Sequence, residues 1–403
     1  MYVLDFLKGF PNSQQAKETV AFEYRLLCSG ELYNGQVITC DWRKSDAARF
    51  LFNSPFTLVV CSHPFDEFPQ EICLRFSAPS VTEQQGNKSM LLYPDDDIAG
   101  DLSALLTLLC RRLITVAAKV REAHPRHYPD EPAAFQDWPI GFVKSLRPVH
   151  WRRKPLTLVY SLAGVEKVID YNPPPLGIDP HHLKQLLLSL PALPLGETIV
   201  LAARLYSLAL QQLERDVDIA YQLLIAAIEA VANDAFRSYT PTEDEMVETK
   251  KSVASRALKF GLSHDEARKL AIEACRGMPW ASRKFTKFLL DNTCDKLWEA
   301  DDLFKVPAAL LPAKEDYESA INHIYIARGK LTHSGRPFPP SSSIGVGGTV
   351  PTRAFFSYDS SSKPFPPAVW FERVVNCAIN SFLERSLGSG IGRVALLENH
   401  GNK

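Results

Sequence analysis

Net charge is nearly absent from this chain of 403 residues: 45 lysines and arginines stand against 46 aspartates and glutamates, leaving −1. No global basic field draws the chain onto nucleic acid, so any such binding must use local patches. Eight cysteines are scattered without a CxxC pair. A secretory leader is missing too, because Asp5 and Lys8 interrupt the apolar run MYVLDFLKGF. The expected state is therefore free thiols in a reducing cytoplasm. Charge-free apolar runs are also lacking. Residues 102–120 and 199–213 contain Arg111, Arg112 and Arg204, so they read as core helices and not as membrane spans.

Several kinds of chemistry are missing as well. Cys61, His63 and Cys73 have no fourth zinc ligand at sensible spacing. GVGG and GSGIG are not followed by the Lys-Ser/Thr and helix that a phosphate loop requires. There is no nucleophile elbow and no convincing triad. No metal and no cofactor are expected. The run Asp95-Asp96-Asp97 reads as the opening of a helix, where negative charge complements the dipole.

What is present is an ordinary globular composition, long enough for two or three domains. FTLVVC, EICLRFSA, LTLVYSL and EKVIDY are strand-like runs, and residues 94–123 read as one long helix. The stretch 173–197 is proline-dense and contains one short helical piece, 181–190; it reads as a linker. Beyond it strand signals nearly vanish, and helices are expected over 198–214, 218–236, 282–298, 313–330 and 368–386, with a polar, basic stretch at 243–271. The predicted organisation is an α+β domain (1–172) for sensing or recognition, the linker (173–197), an all-α domain (198–388) and a tail (389–403). Residues 336–367 are rich in Gly, Ser and Pro and read as a long loop beside the site, nicked first by proteases.

The most informative stretch is YIARGKLTHSGRP at 325–337. Tyr317, Ile321, Ile324, Arg328 and Leu331 fall at steps of four and three, which puts Arg328 on an apolar stripe. A guanidinium there is costly unless it is paired or faces a cleft or an interface. On a continuous helix His333 would point about 140° away from Arg328. The two converge only if the helix ends between them. Gly329 weakens the helix, Ser334-Gly335 stops it and Pro337 disfavours its continuation, so a histidine folding back is compatible with the sequence.

Tyr325, Arg328, His333 and Gly335 resemble the RNxxxHxG motif of the HEPN superfamily, and within it the ApeA-like HEPN domains. The chain departs from the motif at Gly329, where the family prefers a polar residue, usually Asn. LLIAAIEAVA, upstream, is similar to the family's second helix. The resemblance covers 196–388 and implies an all-α HEPN-like helical bundle after the α+β domain. It further implies a cytoplasmic, homodimeric, metal-independent endoribonuclease, a toxin or antiviral-defence effector, with His333 as acid/base and Arg328 binding phosphate. Both residue types suit that chemistry. Tyr325, Glu229, Gly329 and Gly335 are supporting residues, with Glu229 placed to orient Arg328 as an acidic residue does in some relatives. The alternative is a non-catalytic HEPN module that binds nucleotide or RNA, or that assembles a complex. Lys144, Arg147, Trp151, Arg152 and Arg153 form a weaker RNA-binding candidate, basic residues among aromatics. A second Arg/His pair, Arg121 and His127, precedes a proline-rich turn without a trailing glycine and is read as a decoy.

Overall fold

The computed structural model of the protein describes residues 2–8, 19–29, 32–33, 50–52, 56–61, 70–79, 81–85, 88–92, 94–123, 136–137, 156–162, 165–171, 176–177, 180–213, 216–276, 280–299, 312–338, 357–358 and 364–387. Helix α1 (Tyr2–Leu7) precedes strands β1 (Thr19–Cys28), β2 (Leu32–Tyr33), β3 (Phe50–Phe52), β4 (Phe56–Cys61), β5 (Gln70–Pro79), β6 (Val81–Gln85) and β7 (Lys88–Leu92). Helix α2 (Asp95–Cys110) leads into β8 (Ile114–Ala123) and β9 (Gln136–Asp137). The main sheet is antiparallel, in the order β3-β4-β5-β1-β8-β9. On β5, Ile72, Leu74, Phe76 and Ala78 are buried while Cys73 and Arg75 are half-buried, the period-two alternation of a sheet with one face on a core. Their partners Leu26, Tyr24, Phe22 and Val20 on β1 are buried too. Strands β10 (Leu156–Leu162) and β11 (Val165–Tyr171) form a separate hairpin, and β12 (Leu176–Gly177) pairs with β2.

The single long helix expected over 94–123 is two elements. Helix α2 ends at Cys110, Arg111 takes a left-handed conformation (φ 50°), and the chain returns as β8 alongside β1. Thr107 holds the turn. Its Oγ accepts from the Ile114 amide at 3.0 Å and contacts the Ser103 carbonyl at 2.9 Å. Periodicity did not reveal the break, because α2 is buried almost all round and β8 offers the same unpatterned apolar run. Ile98, Leu102, Leu105, Leu106 and Leu108 are all within 1% of full burial. A helix apolar on every side belongs inside a core. Each of these leucines contributes about 2 kcal/mol by leaving water.

Helices follow from residue 180: α3 (Pro180–Ser189), a 3-10 turn (Leu190–Ala192), α4 (Gly196–Gln212), α5 (Val217–Ala235), α6 (Glu243–Lys259), α7 (His264–Arg276), α8 (Ala281–Asp291), α9 (Tyr317–Ser334) and α10 (Ala368–Ser386). Strands β13 (Ser357–Tyr358) and β14 (Pro364–Phe365) pair before α10. Gly196 opens α4 against the 3-10 turn, where a Cβ would lie 2.5 Å from the Leu190 carbonyl oxygen. The polar stretch 243–271 resolves into the antiparallel pair α6–α7. The helix expected over 282–298 stops at Asp291, where Asn292 and Thr293 turn their side chains onto the Phe288 and Leu289 carbonyls.

An α+β part is thus followed by a helical part, and the two share one core. The buried cluster runs without interruption from Val3 to Leu383, and α2 packs on β8, α4 and α10. A buried polar network seals that contact. Arg111 Nη2 meets Glu372 Oε2 at 2.7 Å, and the Tyr206 hydroxyl donates to Glu372. Asn376 donates to the Leu108 carbonyl at 2.7 Å. Burial and the neighbouring Glu372 carboxylate push the Tyr206 hydroxyl well above its ordinary pKa.

The expectation of free thiols is corrected at one pair. Cys294, just beyond α8, and Cys377, on α10, are disulfide-bonded with Cα atoms 6.3 Å apart. They are 83 residues apart in sequence, and only the packing of α10 beside α8 brings them together. The thiols of Cys110 and Cys275 are free and buried. Among the described residues no helix is long and apolar enough to cross a membrane.

Candidate functional site

The stripe that raised the question on α9 goes into the core as far as Ile324. Tyr317, Ile321 and Ile324 are at most 5% exposed, and Arg328, one turn on, emerges at the end of the bundle. Its side chain is 32% exposed and is paired with Glu229 of α5. Arg328 Nη2 lies 3.1 Å from Glu229 Oε2, and the Tyr325 hydroxyl donates to Glu229 Oε1 at 2.7 Å. The guanidinium carbon also lies 5.7 Å from the centroid of the Tyr325 ring, within reach of a cation–π attraction. One carboxylate therefore holds two residues of the facing helix, and the rest of the guanidinium fork stays open to solvent.

Tyr325 is fixed from its other side by Phe285 of α8, ring centroids 4.9 Å apart. Thr286, beside Phe285, donates to Asn322 of α9 at 3.0 Å. Burial first, and then the Glu229 carboxylate, raise the Tyr325 hydroxyl pKa. Tyr325 therefore stays a neutral donor. Sequence reasoning passed over Phe285. Its only signal was a place on the apolar face of α8, which marks core and says nothing of the site.

His333 is not where a loop histidine would be. The helix continues through it to Ser334 and is closed by Gly335, which takes a left-handed conformation (φ 63°). The Gly335 amide donates to the Leu331 carbonyl and the Arg336 amide to that of Lys330, so the helix closes on a left-handed glycine. Gly329 does not break the helix, because an interior glycine costs only about 1 kcal/mol and tertiary packing overrides it. A Cβ at Gly329 would meet nothing within 4 Å. His333 consequently points about 140° away from Arg328 around the axis. It is exposed, on a face with His323, Ile326 and Lys330, and Ile326 is 55% exposed. Among the described residues nothing hydrogen-bonds the His333 side chain.

The ends of the segment expected as a loop at 336–367 are anchored. Phe338 and Phe365 are buried and pack on Tyr221, with centroids 4.4 and 5.8 Å away. The Phe338 amide donates to Asp218 at 3.2 Å. Residues 339–356 lie outside the described residues, as do Lys144, Arg147, Trp151, Arg152, Arg153, His127 and the tail. For Arg121 only the backbone, in β8, is described.

None of the family models, curated proteins or solved structures compared with the chain matches it.

Proposed function

We propose that the chain is a metal-independent endoribonuclease of HEPN type, working as a cytoplasmic homodimer in the manner of a toxin or an antiviral-defence effector. The observation that carries this reading is Arg328, an arginine on a core stripe, held by Glu229 and Tyr325 with part of its fork open to solvent. A fixed guanidinium of this kind binds phosphate oxygens and gains strength as charge develops on them. In the proposed reaction His333 takes the proton of the ribose 2′-hydroxyl, whose oxygen attacks phosphorus. The bond to the 5′ oxygen breaks, and that oxygen is protonated as it leaves. The products are a 2′,3′-cyclic phosphate and a 5′-hydroxyl. Because His333 points away from Arg328 within one chain, the reading needs a second copy. A two-fold pairing along the exposed face of α9 sets two motifs on one cleft, with Ile326 supplying apolar contact. The α+β part serves as the sensor, and the shared core through α2 is its mechanical link.

A second reading, a non-catalytic module that binds nucleotide or RNA or serves assembly, is favoured by one observation: α9 runs unbroken through His333. Digestion of RNA with excess EDTA separates the two. Cleavage is expected to persist, and to be lost in Arg328→Ala, His333→Ala and Arg328→Lys with fold and dimer intact. The double variant should be scarcely worse than either single one, because coupled groups act as a unit. Arg121→Ala should remain active. Undiminished single-turnover cleavage by His333→Ala would end the nuclease reading.

A further inference from the structure

Helices α6 and α7 form a hairpin inserted between α5 and α8. They pack mainly on each other, burying Ala257, Ala267, Ala271 and Cys275 along the seam. Their ties to the bundle are at the base. The Tyr239 hydroxyl donates to Glu245 at 2.7 Å, and Arg283 at the start of α8 pairs with Glu248. Each helix is closed at its N-terminus by a hydroxyl and a glutamate three residues on, Thr242 with Glu245 and Ser263 with Glu266. The hairpin is thus a self-supporting arm, about 25 Å long from the 17 residues of α6.

Over 243–276 the hairpin as a whole is neutral, with seven basic and seven acidic residues, but its charge is distributed unevenly. From Lys250 to Phe260 the sequence KKSVASRALKF holds Lys250, Lys251, Arg256 and Lys259 and no acidic residue, in a protein of net charge −1. Among the described residues none of these four has an ion-pair partner, and Lys251, Arg256 and Lys259 are exposed. At about 100° per residue, Lys259 lies about 80° and Arg256 about 140° around the axis from Lys251, so the three spread over one broad side of α6. At the tip, Phe260 is 85% exposed, the most exposed of the large apolar residues among those described. Among the described residues the other phenylalanines whose burial is described are buried or partly buried, whereas this ring stands in water near exposed cations.

The arm is rooted beside the candidate site. Glu229 lies six residues before the end of α5 and Phe285 four residues after the start of α8, about 9 and 6 Å along their axes. Both helices therefore carry site residues at the end of the bundle from which the hairpin leaves.

We propose that the α6–α7 hairpin is a gripping arm for single-stranded RNA, with Lys251, Arg256 and Lys259 on the phosphates and Phe260 stacking on a base. Exposed cations spread over one side of a helix can meet successive phosphates of a polyanion, and an exposed ring at its end matches an unstacked base. A folded acidic protein would use the cations but would not require the ring at the tip. The inference rests on the RNA reading above and adds a second point of contact to it.

The test uses the full chain, a fluorescein-labelled 20-nucleotide polyuridine and EDTA, with binding read by anisotropy across a salt series. Three variants are compared with the parent: Lys251→Gln/Arg256→Gln/Lys259→Gln, Phe260→Ala and Arg328→Ala. The triple variant is expected to bind at least tenfold more weakly and to flatten the salt dependence by about two units of log–log slope, about 0.7 for each phosphate contact. Phe260→Ala should lose about tenfold with the slope unchanged, because stacking releases no counterions. Arg328→Ala should retain arm-dependent binding. These substitutions are in exposed side chains, and circular dichroism checks that the arm remains helical. If the triple variant binds as the parent does, or the parent shows no salt-dependent binding, the proposal is overturned. Cleavage of the same RNA is scored separately. Arm-dependent binding without cleavage supports the arm and removes the nuclease reading. Cleavage with arm-independent binding does the reverse.

Discussion

Glu229 holds Arg328 across the contact between α5 and α9, Oε2 to Nη2 at 3.1 Å, while its other oxygen takes the Tyr325 hydroxyl. Glu229→Ala is expected to lower single-turnover RNA cleavage tenfold or more by freeing the guanidinium to swing. Stability should change by no more than about 1 kcal/mol, since the pair is partly exposed. Glu229→Gln keeps a hydrogen-bond acceptor for Tyr325 and should fall between. Cleavage by Glu229→Ala at the parental rate would show that Glu229 does not position Arg328.

Gly329 sits inside α9 with open space around its Cα. Gly329→Ala should stabilise the protein by about 0.5–1 kcal/mol, the usual gain for an interior helical glycine. Urea denaturation measures it. A loss of stability would mean that the site needs the flexibility of this position.

Glu372 is fully buried and takes charge from Arg111 of the other half of the molecule. Glu372→Ala removes a fully buried carboxylate that both Arg111 and the Tyr206 hydroxyl use, and should cost about 3–5 kcal/mol. The double variant Arg111→Met/Glu372→Met should lose less than Glu372→Ala alone, because it removes both charges. Equal losses would mean that packing and not charge accounts for the effect.

The bond between Cys294 and Cys377 closes a loop of 83 residues that contains the whole of α9. The chain-entropy account puts its contribution at up to about 4.5 kcal/mol. Dithiothreitol should lower the unfolding midpoint of the parent, and Cys377→Ser should match the reduced parent and ignore the reductant. A midpoint that reductant does not move would contradict this.

Glu266 and Glu245 cap the arm, and both carboxyls lie below their ordinary pKa. For Glu266 the Ser263 hydroxyl and amide are the cause. For Glu245 burial works upward and is outweighed by the Thr242 amide and the Tyr239 and Thr242 hydroxyls. A lowered folded pKa stabilises above the unfolded value of about 4.3 and ceases to do so as pH falls through the folded one. Protection factors of the amides across 243–276 should therefore hold from neutral pH down to about pH 4 and fall below it. Glu245→Gln/Glu266→Gln should already exchange faster at pH 7. Identical profiles for parent and variant would dismiss the caps.

Local pattern was enough to determine much of this protein. The strands at 56–61 and 156–162 and the helix Ala368–Ser386 could be read to the residue, because each is short, evenly patterned and bounded by turn residues. The place of Arg328 on a core stripe was legible too, since helical period alone puts it in line with Ile321 and Ile324. Which carboxylate answers that arginine was decided by packing. Glu229 is 99 residues away, and nothing local sets the roll of α5 against α9. Tertiary structure also decided the turn at Arg111, where pairing of β8 with β1 outweighs a run that would serve equally as helix. The same holds for the bond from Cys294 to Cys377 and for the core shared through α2. Each depends on contacts between residues far apart in the chain, and side-chain periodicity carries no information about those contacts.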